Sequence, residues 1–96
     1  MVVGILQVEL TLDWAQSLKQ KRSVLRSVKD RLHREHQVSV AEVGATDNPR
    51  VATLGIALAA SSVPRAQSVI DVILDKLANA RDCVLSDHQK EILTGH

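Results

Sequence analysis

The stretch "SLKQKRSVLRSVKDRLHREH", Ser17 to His36, carries seven of the chain's twelve Lys and Arg residues. Cations at that density are suited above all to neutralising phosphate or another polyanion. At about 100° per residue, Lys19, Arg22, Arg26, Lys29 and His33 project within about 80° of one another on a helical wheel. Lys19, Lys21 and Arg22 also fall in the first turn of a helix opening at Ser17. Acids are usual there, because the exposed N–H groups and the macrodipole already favour negative charge. Arg26 and His33 can each meet Asp30, Arg31 can meet Glu35, and Arg34 can meet Asp30. Lys19, Lys21, Arg22 and Lys29 have no acid three or four residues away, so no local helical pair accounts for them.

Lys19, Lys21, Arg22, Arg26 and Lys29 are therefore the candidate anion-binding set. The plain alternative is a solvated helix whose long side chains lie over the core edge. Lys21 differs from the others, since it projects near the centre of the apolar stripe Leu18, Val24, Leu25, Val28 and Leu32. Its ammonium is expected to leave at the helix end or to pair with a carboxylate such as Glu42.

Other chemistries find little support. His33 and His36 in "HREH" lie three apart, but they form neither an HExxH motif nor part of a Cys-rich site, and Cys83 and His88 add no useful spacing. No metal site and no cofactor are expected, and His88 and His96 belong to a polar C-terminal stretch. "DWAQS", after the first strand, has no glycine-rich phosphate cradle and no arginine, and Asn48 with Arg50 in a turn is weak evidence alone. Cys83 reads as an inert core thiol. No catalytic signature is present, and the protein is not expected to be an enzyme.

The elements that must position the basic helix follow from periodicity. "VVGILQVELTLD" alternates, with Val2, Leu6, Val8, Leu10 and Leu12 on one face. Ser17 and Gln20 form a capping box for the first helix, which frays near His36. "QVSVAEVGA" is a second strand whose alternation breaks, which suggests a bulge near Ala41 or Glu42. "TDNPR" is a turn, and "VATLGIALAA" a third strand. The second helix is capped by Ser61 or Ser62, has Pro64 in its first turn, and turns Ala66, Val69, Ile70, Ile73 and Leu77 inward. A fourth strand runs through Cys83 and Leu85 into a polar end. The order β-α-β-β-α-β packs most economically as an α+β ferredoxin-like sandwich: a four-stranded antiparallel sheet, two helices on one face, first and third strands central.

Ninety-six residues suit a single domain, 1–96, and with Trp14 the only aromatic residue the core must be aliphatic. The lone cysteine suits a reducing cytoplasm, and "MVVGIL" is too short for a membrane span and lacks signal-peptide flanks. The net charge of +1 hides a segregation: Ser17 to His36 carries +5, seven cations against Asp30 and Glu35, and the remainder −4, five cations against nine acids. Base stacking on the sheet is disfavoured, since the central strands present Val3, Ile5, Gln7, Thr53, Gly55 and Ala57 where RNA-binding domains of this topology place aromatics. Any nucleic acid must then meet the helix through its phosphates. The sheet face, with Val3, Ile5, Val51, Gly55, Ala57, Ala59 and Val84, makes an apolar patch of the kind that marks an interface. Val3, Ile5, Gly55 and Ala57 are the candidate homodimer contacts.

"SLKQKRSVLRSVKDRL", "VSVAEV" and "ATLGIAL" together resemble the YlxP-like family, bacterial domain of unknown function 503, over nearly the whole chain. Ser17, Leu18, Lys19, Lys21 and Arg22 match its helix-start motif. The resemblance implies a ferredoxin-like fold and genes placed among those of translation and ribosome maturation; it supplies no catalytic residues. The expected function is a small non-catalytic binding protein that takes structured RNA or a ribosomal particle on its basic first helix. The alternative is a homodimeric protein-interaction or small-effector module with no nucleic-acid role.

Overall fold

Val2, Leu6, Val8, Leu10 and Leu12, the apolar set of the first strand, are all buried in the computed structural model, which describes residues 1–95. The expectation for His96 lies outside the described residues. The first strand, β1, spans Val2–Thr11 and is followed by α1 (Leu18–Glu35), β2 (Ser39–Gly44), β3 (Val51–Ala60), α2 (Val63–Ala78) and β4 (Val84–Thr94). The strands form one antiparallel sheet in the order β2-β3-β1-β4, with both helices on one face, the ferredoxin-like arrangement. The two ten-residue central strands, β1 and β3, pair along their whole length.

The helices read in sequence as they fold. Ser17 caps α1 and Ser62 caps α2, each by accepting from the backbone N–H three residues on, and Pro64 occupies the first turn of α2, where it has no hydrogen bond to lose. Leu25, Val28 and Leu32 of α1 and Ala66, Ile70, Ile73 and Leu77 of α2 close over the inner face of the sheet. Alternating strand residues meeting a helical stripe give one aliphatic core.

Three local features depart from expectation. The irregularity in β2 lies between Glu42 and Gly44, slightly later than expected, and it leaves Val43 on the open face of the sheet, 55% exposed. The fourth strand is far longer than its apolar residues suggested, because the polar run "DHQKE" pairs with β1 throughout. An edge strand with both faces largely wet carries no alternation to read, and its ladder is supplied by its neighbour. Cys83 is buried but precedes this strand. A second register shift opposite Glu9 and Leu10 leaves Ser86 as the extra residue. The Ser86 hydroxyl donates to the Glu9 carbonyl at 3.0 Å and accepts from Thr11 Oγ1 at 3.0 Å, which ties the irregularity down.

Ile73 is wholly enclosed and Leu25 nearly so. Ile73→Ala and Leu25→Ala should each destabilise the fold by ~2–5 kcal/mol, the range for a truncated core aliphatic, measured by urea denaturation with an unchanged m-value.

Candidate functional site

The start of α1 has no acid in its first turn. One of its orphan donors is met by an uncharged group instead: Ser17 Oγ accepts from Gln20 N at 3.2 Å, and Gln20 Oε1 accepts from Gln16 N, just before the cap, at 2.7 Å. The capping box thus reaches back one residue further than its simplest form.

Lys21 does not belong to the surface set. It is 0% exposed and occupies the core stripe, four residues before Leu25 and seven before Val28. Its ammonium donates to the carbonyls of Ala45 at 2.9 Å, Val51 at 3.1 Å and Thr46 at 3.4 Å. Glu42 Oε2 lies 2.8 Å away. An ammonium has three protons and here faces four oxygens, so Glu42 supplies mainly compensating charge; its Oε2 takes no directed hydrogen bond. Of the two placements open to Lys21, pairing with Glu42 is the one adopted, and no donor remains for an external anion. The β2–β3 loop is wrapped around this one group. Ala45 holds φ 56° to aim its carbonyl, a left-handed conformation costing a non-glycine residue roughly 1–2 kcal/mol.

The other four candidates stay at the surface. Arg22, Arg26 and Lys29 line a shallow groove of about 230 Å³ between α1 and β2, with Leu25, Asp30 and Glu42 completing it. Lys19 is exposed nearer the helix start and outside that lining. None of the local pairs open to Arg26, Arg31, His33 or Arg34 forms an ion pair among the described residues. Glu35 is taken instead by Lys76 of α2. That long-range contact was not legible in α1 alone, because its two members lie 41 residues apart.

Lys76 Nζ also lies 2.9 Å from His36 Nε2. An ammonium offers no acceptor, so this imidazole nitrogen must be the unprotonated one, and the ring proton sits on Nδ1. The Lys76 hydrogen bond holds the Glu35 carboxyl below its ordinary value, and desolvation, helped by the Lys76 charge, holds His36 below 6.5. Burial pushes the Cys83 thiol up, as expected of a structural thiol.

The candidate dimer residues share the open face of the sheet. Val3 and Gly55 are half-buried, Ile5 is 36% exposed, and Ala57 is exposed. Ile5, Val43, Gly55 and Ala57 surround an apolar depression of about 340 Å³.

Residues 3–90 match the family described as "Protein of unknown function (DUF503)". The chain belongs to that family. It is 30% identical over 73 residues to the "Uncharacterized protein YlxP" of Bacillus subtilis (strain 168), a match covering 76% of this chain and 79% of the relative. Among solved structures it resembles a de novo designed protein with ferredoxin fold, LFR1 1, at TM-score 0.55 and 17% identity, over 99% of this chain and 88% of the design. At that identity the likeness speaks for the fold alone. Within this DUF503 chain, the helix-start motif divides by geometry: Lys21 holds the fold together, and Lys19 and Arg22 face solvent.

Lys21→Met should destabilise the fold by ~3–5 kcal/mol, since it leaves a half-buried carboxylate without its counter-ion. Adding Glu42→Gln should restore only part, because three carbonyls still lack their donor; urea denaturation measures both. Stability should also fall as pH drops below 6.5, where the unfolded chain takes up the His36 proton first. It should fall again below 4.5, as Glu35 protonates in the unfolded chain before the folded one. His36→Gln should remove the upper phase alone, and the His36 ring should titrate below 6.5 by NMR.

Proposed function

We propose that this chain is a small non-catalytic cytoplasmic binding protein that holds structured RNA, or a ribosomal particle through its RNA, on the outer face of α1. One observation carries the reading. Lys19, Arg22, Arg26 and Lys29 lie along one helix with no carboxylate in ion-pair contact among the described residues, beside a helix start with no acid of its own. Unpaired cations spaced along a helix suit a run of backbone phosphates better than a single small anion. Asp30 and Glu42 in the groove favour an extended ligand that lies over the rim, with its phosphates on the cations. Such contacts position a protein without reading bases, so binding is sequence-tolerant. Among the described residues no helix is long and apolar enough to cross a membrane.

A second reading, a homodimeric interaction module or small-effector module without a nucleic-acid role, is favoured by the apolar depression around Gly55. It ranks below the first because the same sheet face carries three carboxylates, at Glu9, Asp87 and Glu91, which two facing copies would set against one another. Sedimentation at high micromolar concentration separates the readings. The second expects a dimer that Ile5→Lys disperses, whereas the first expects that variant to keep its RNA affinity.

With four phosphates neutralised, log K for a structured RNA should fall against log salt with a slope of about −3. Lys19→Gln, Arg22→Gln and Lys29→Gln together should flatten it to about −1 and leave the melting temperature unchanged. Equal RNA affinity of parent and triple variant at low salt would reduce α1 to a solvated face.

A further inference from the structure

We propose that the open face of the sheet docks a cationic segment of another protein, one that carries a branched aliphatic side chain among its lysines or arginines. The strand register fixes what this face presents. Glu9 and Asp87 are direct cross-strand partners, and Glu91 is paired with Ile5. Like charges directly opposite in a sheet repel. Among the strand residues, no Lys, Arg or His side chain shares this face to offset them: His88 and Lys90 pair with Val8 and Leu6 on the helix side, and Lys90 meets Asp71 there at 3.6 Å. An uncompensated acidic row stands beside an apolar depression.

The depression has a defined shape. Its floor is Gly55, where a Cβ would lie 2.9 Å from Val43 Cγ1. Its walls are Ile5, Val43 and Ala57, and its volume of about 340 Å³ has ample room for a branched aliphatic side chain. Asp87 and Glu91 are four residues apart along one strand, about 13 Å, further than one small cation can bridge. The ligand must therefore be extended, positively charged at intervals, and apolar at one point. A polyanion is repelled here. A second copy in face-to-face contact would bring its own Glu9, Asp87 and Glu91 against these three.

The test is a titration of the ¹⁵N-labelled chain with a synthetic amphipathic peptide of Leu and Lys. The same peptide with Glu for Lys, and an RNA hairpin, serve as comparisons. The Leu/Lys peptide alone should shift the amides of Ile5, Glu9, Gly55 and Ala57, with a Kd that weakens as salt rises. Replacing Glu9→Gln, Asp87→Asn and Glu91→Gln together should weaken it roughly tenfold, the combined effect of three exposed ion pairs. Ala57→Gln, which fills the depression without changing charge, should weaken it too. The triple Gln variant of Lys19, Arg22 and Lys29 should bind the peptide as the parent does, which keeps this surface separate from the α1 reading. Absence of shifts, shifts confined to other elements, or equal binding by the neutralised variant would overturn the proposal. So would a concentration-dependent dimer that Ala57→Glu disperses, since the face would then belong to a second copy.

Discussion

A buried ammonium demands oxygen on every side, and the Lys21 ammonium obtains it from three carbonyls and the Glu42 carboxylate. That demand organises one end of the molecule. Ala45 takes a left-handed conformation to offer its carbonyl, and Asn48 N donates to the same carbonyl at 3.1 Å. Arg50 N then donates to Asn48 Oδ1 at 2.9 Å, which turns the chain into β3. Glu42 must face inward to reach Lys21, so Val43 is left on the open side and Gly55 must stay small beneath it. One charge thus couples α1, the edge strand and the sheet's far face. A hydrophobic residue at Lys21 could fill the space, but it could not hold the loop.

The same group explains part of the odd charge at the helix start. Cations near an N-terminus are unfavourable when they remain close to the backbone N–H groups. Lys21 is carried away from that end to carbonyl partners 24 to 30 residues further along the chain. Only Lys19 and Arg22 retain the unfavourable placement, at exposed positions where water screens most of it.

Periodicity made β1, both helices and β3 legible, because each has one face buried and one face wet. It failed at β4, where the pairing of Leu85 to Thr94 depends on β1 and not on the strand's own pattern, and where Ser86 shifts the register. The bulge in β2 was visible as a break in parity, though not its exact residue. Lys21 stood out as an anomaly on the wheel, but the carbonyls that hold it follow no local spacing. Of the candidate site, the row of cations was legible and its freedom from partners was not. Whether Asp30 or Glu35 would neutralise neighbouring arginines depends on geometry, and on the competing reach of Lys76 from α2.

The charge segregation of the sequence becomes a spatial one. The +5 segment forms α1, on one side of the sheet, and three of the remaining acids, Glu9, Asp87 and Glu91, lie on the other. A helix layer and a sheet separate the two faces, a distance of about 10 Å or more, comparable with the ~8 Å screening length at physiological salt. Each face therefore presents its own sign to solvent. RNA-binding domains of this topology commonly place aromatics on the central strands and bind through the sheet. Here Ile5, Gly55 and Ala57 stand at those strands with carboxylates beside them, a face that repels phosphate. On the reading proposed for α1, that division would leave the sheet open to a partner of opposite charge.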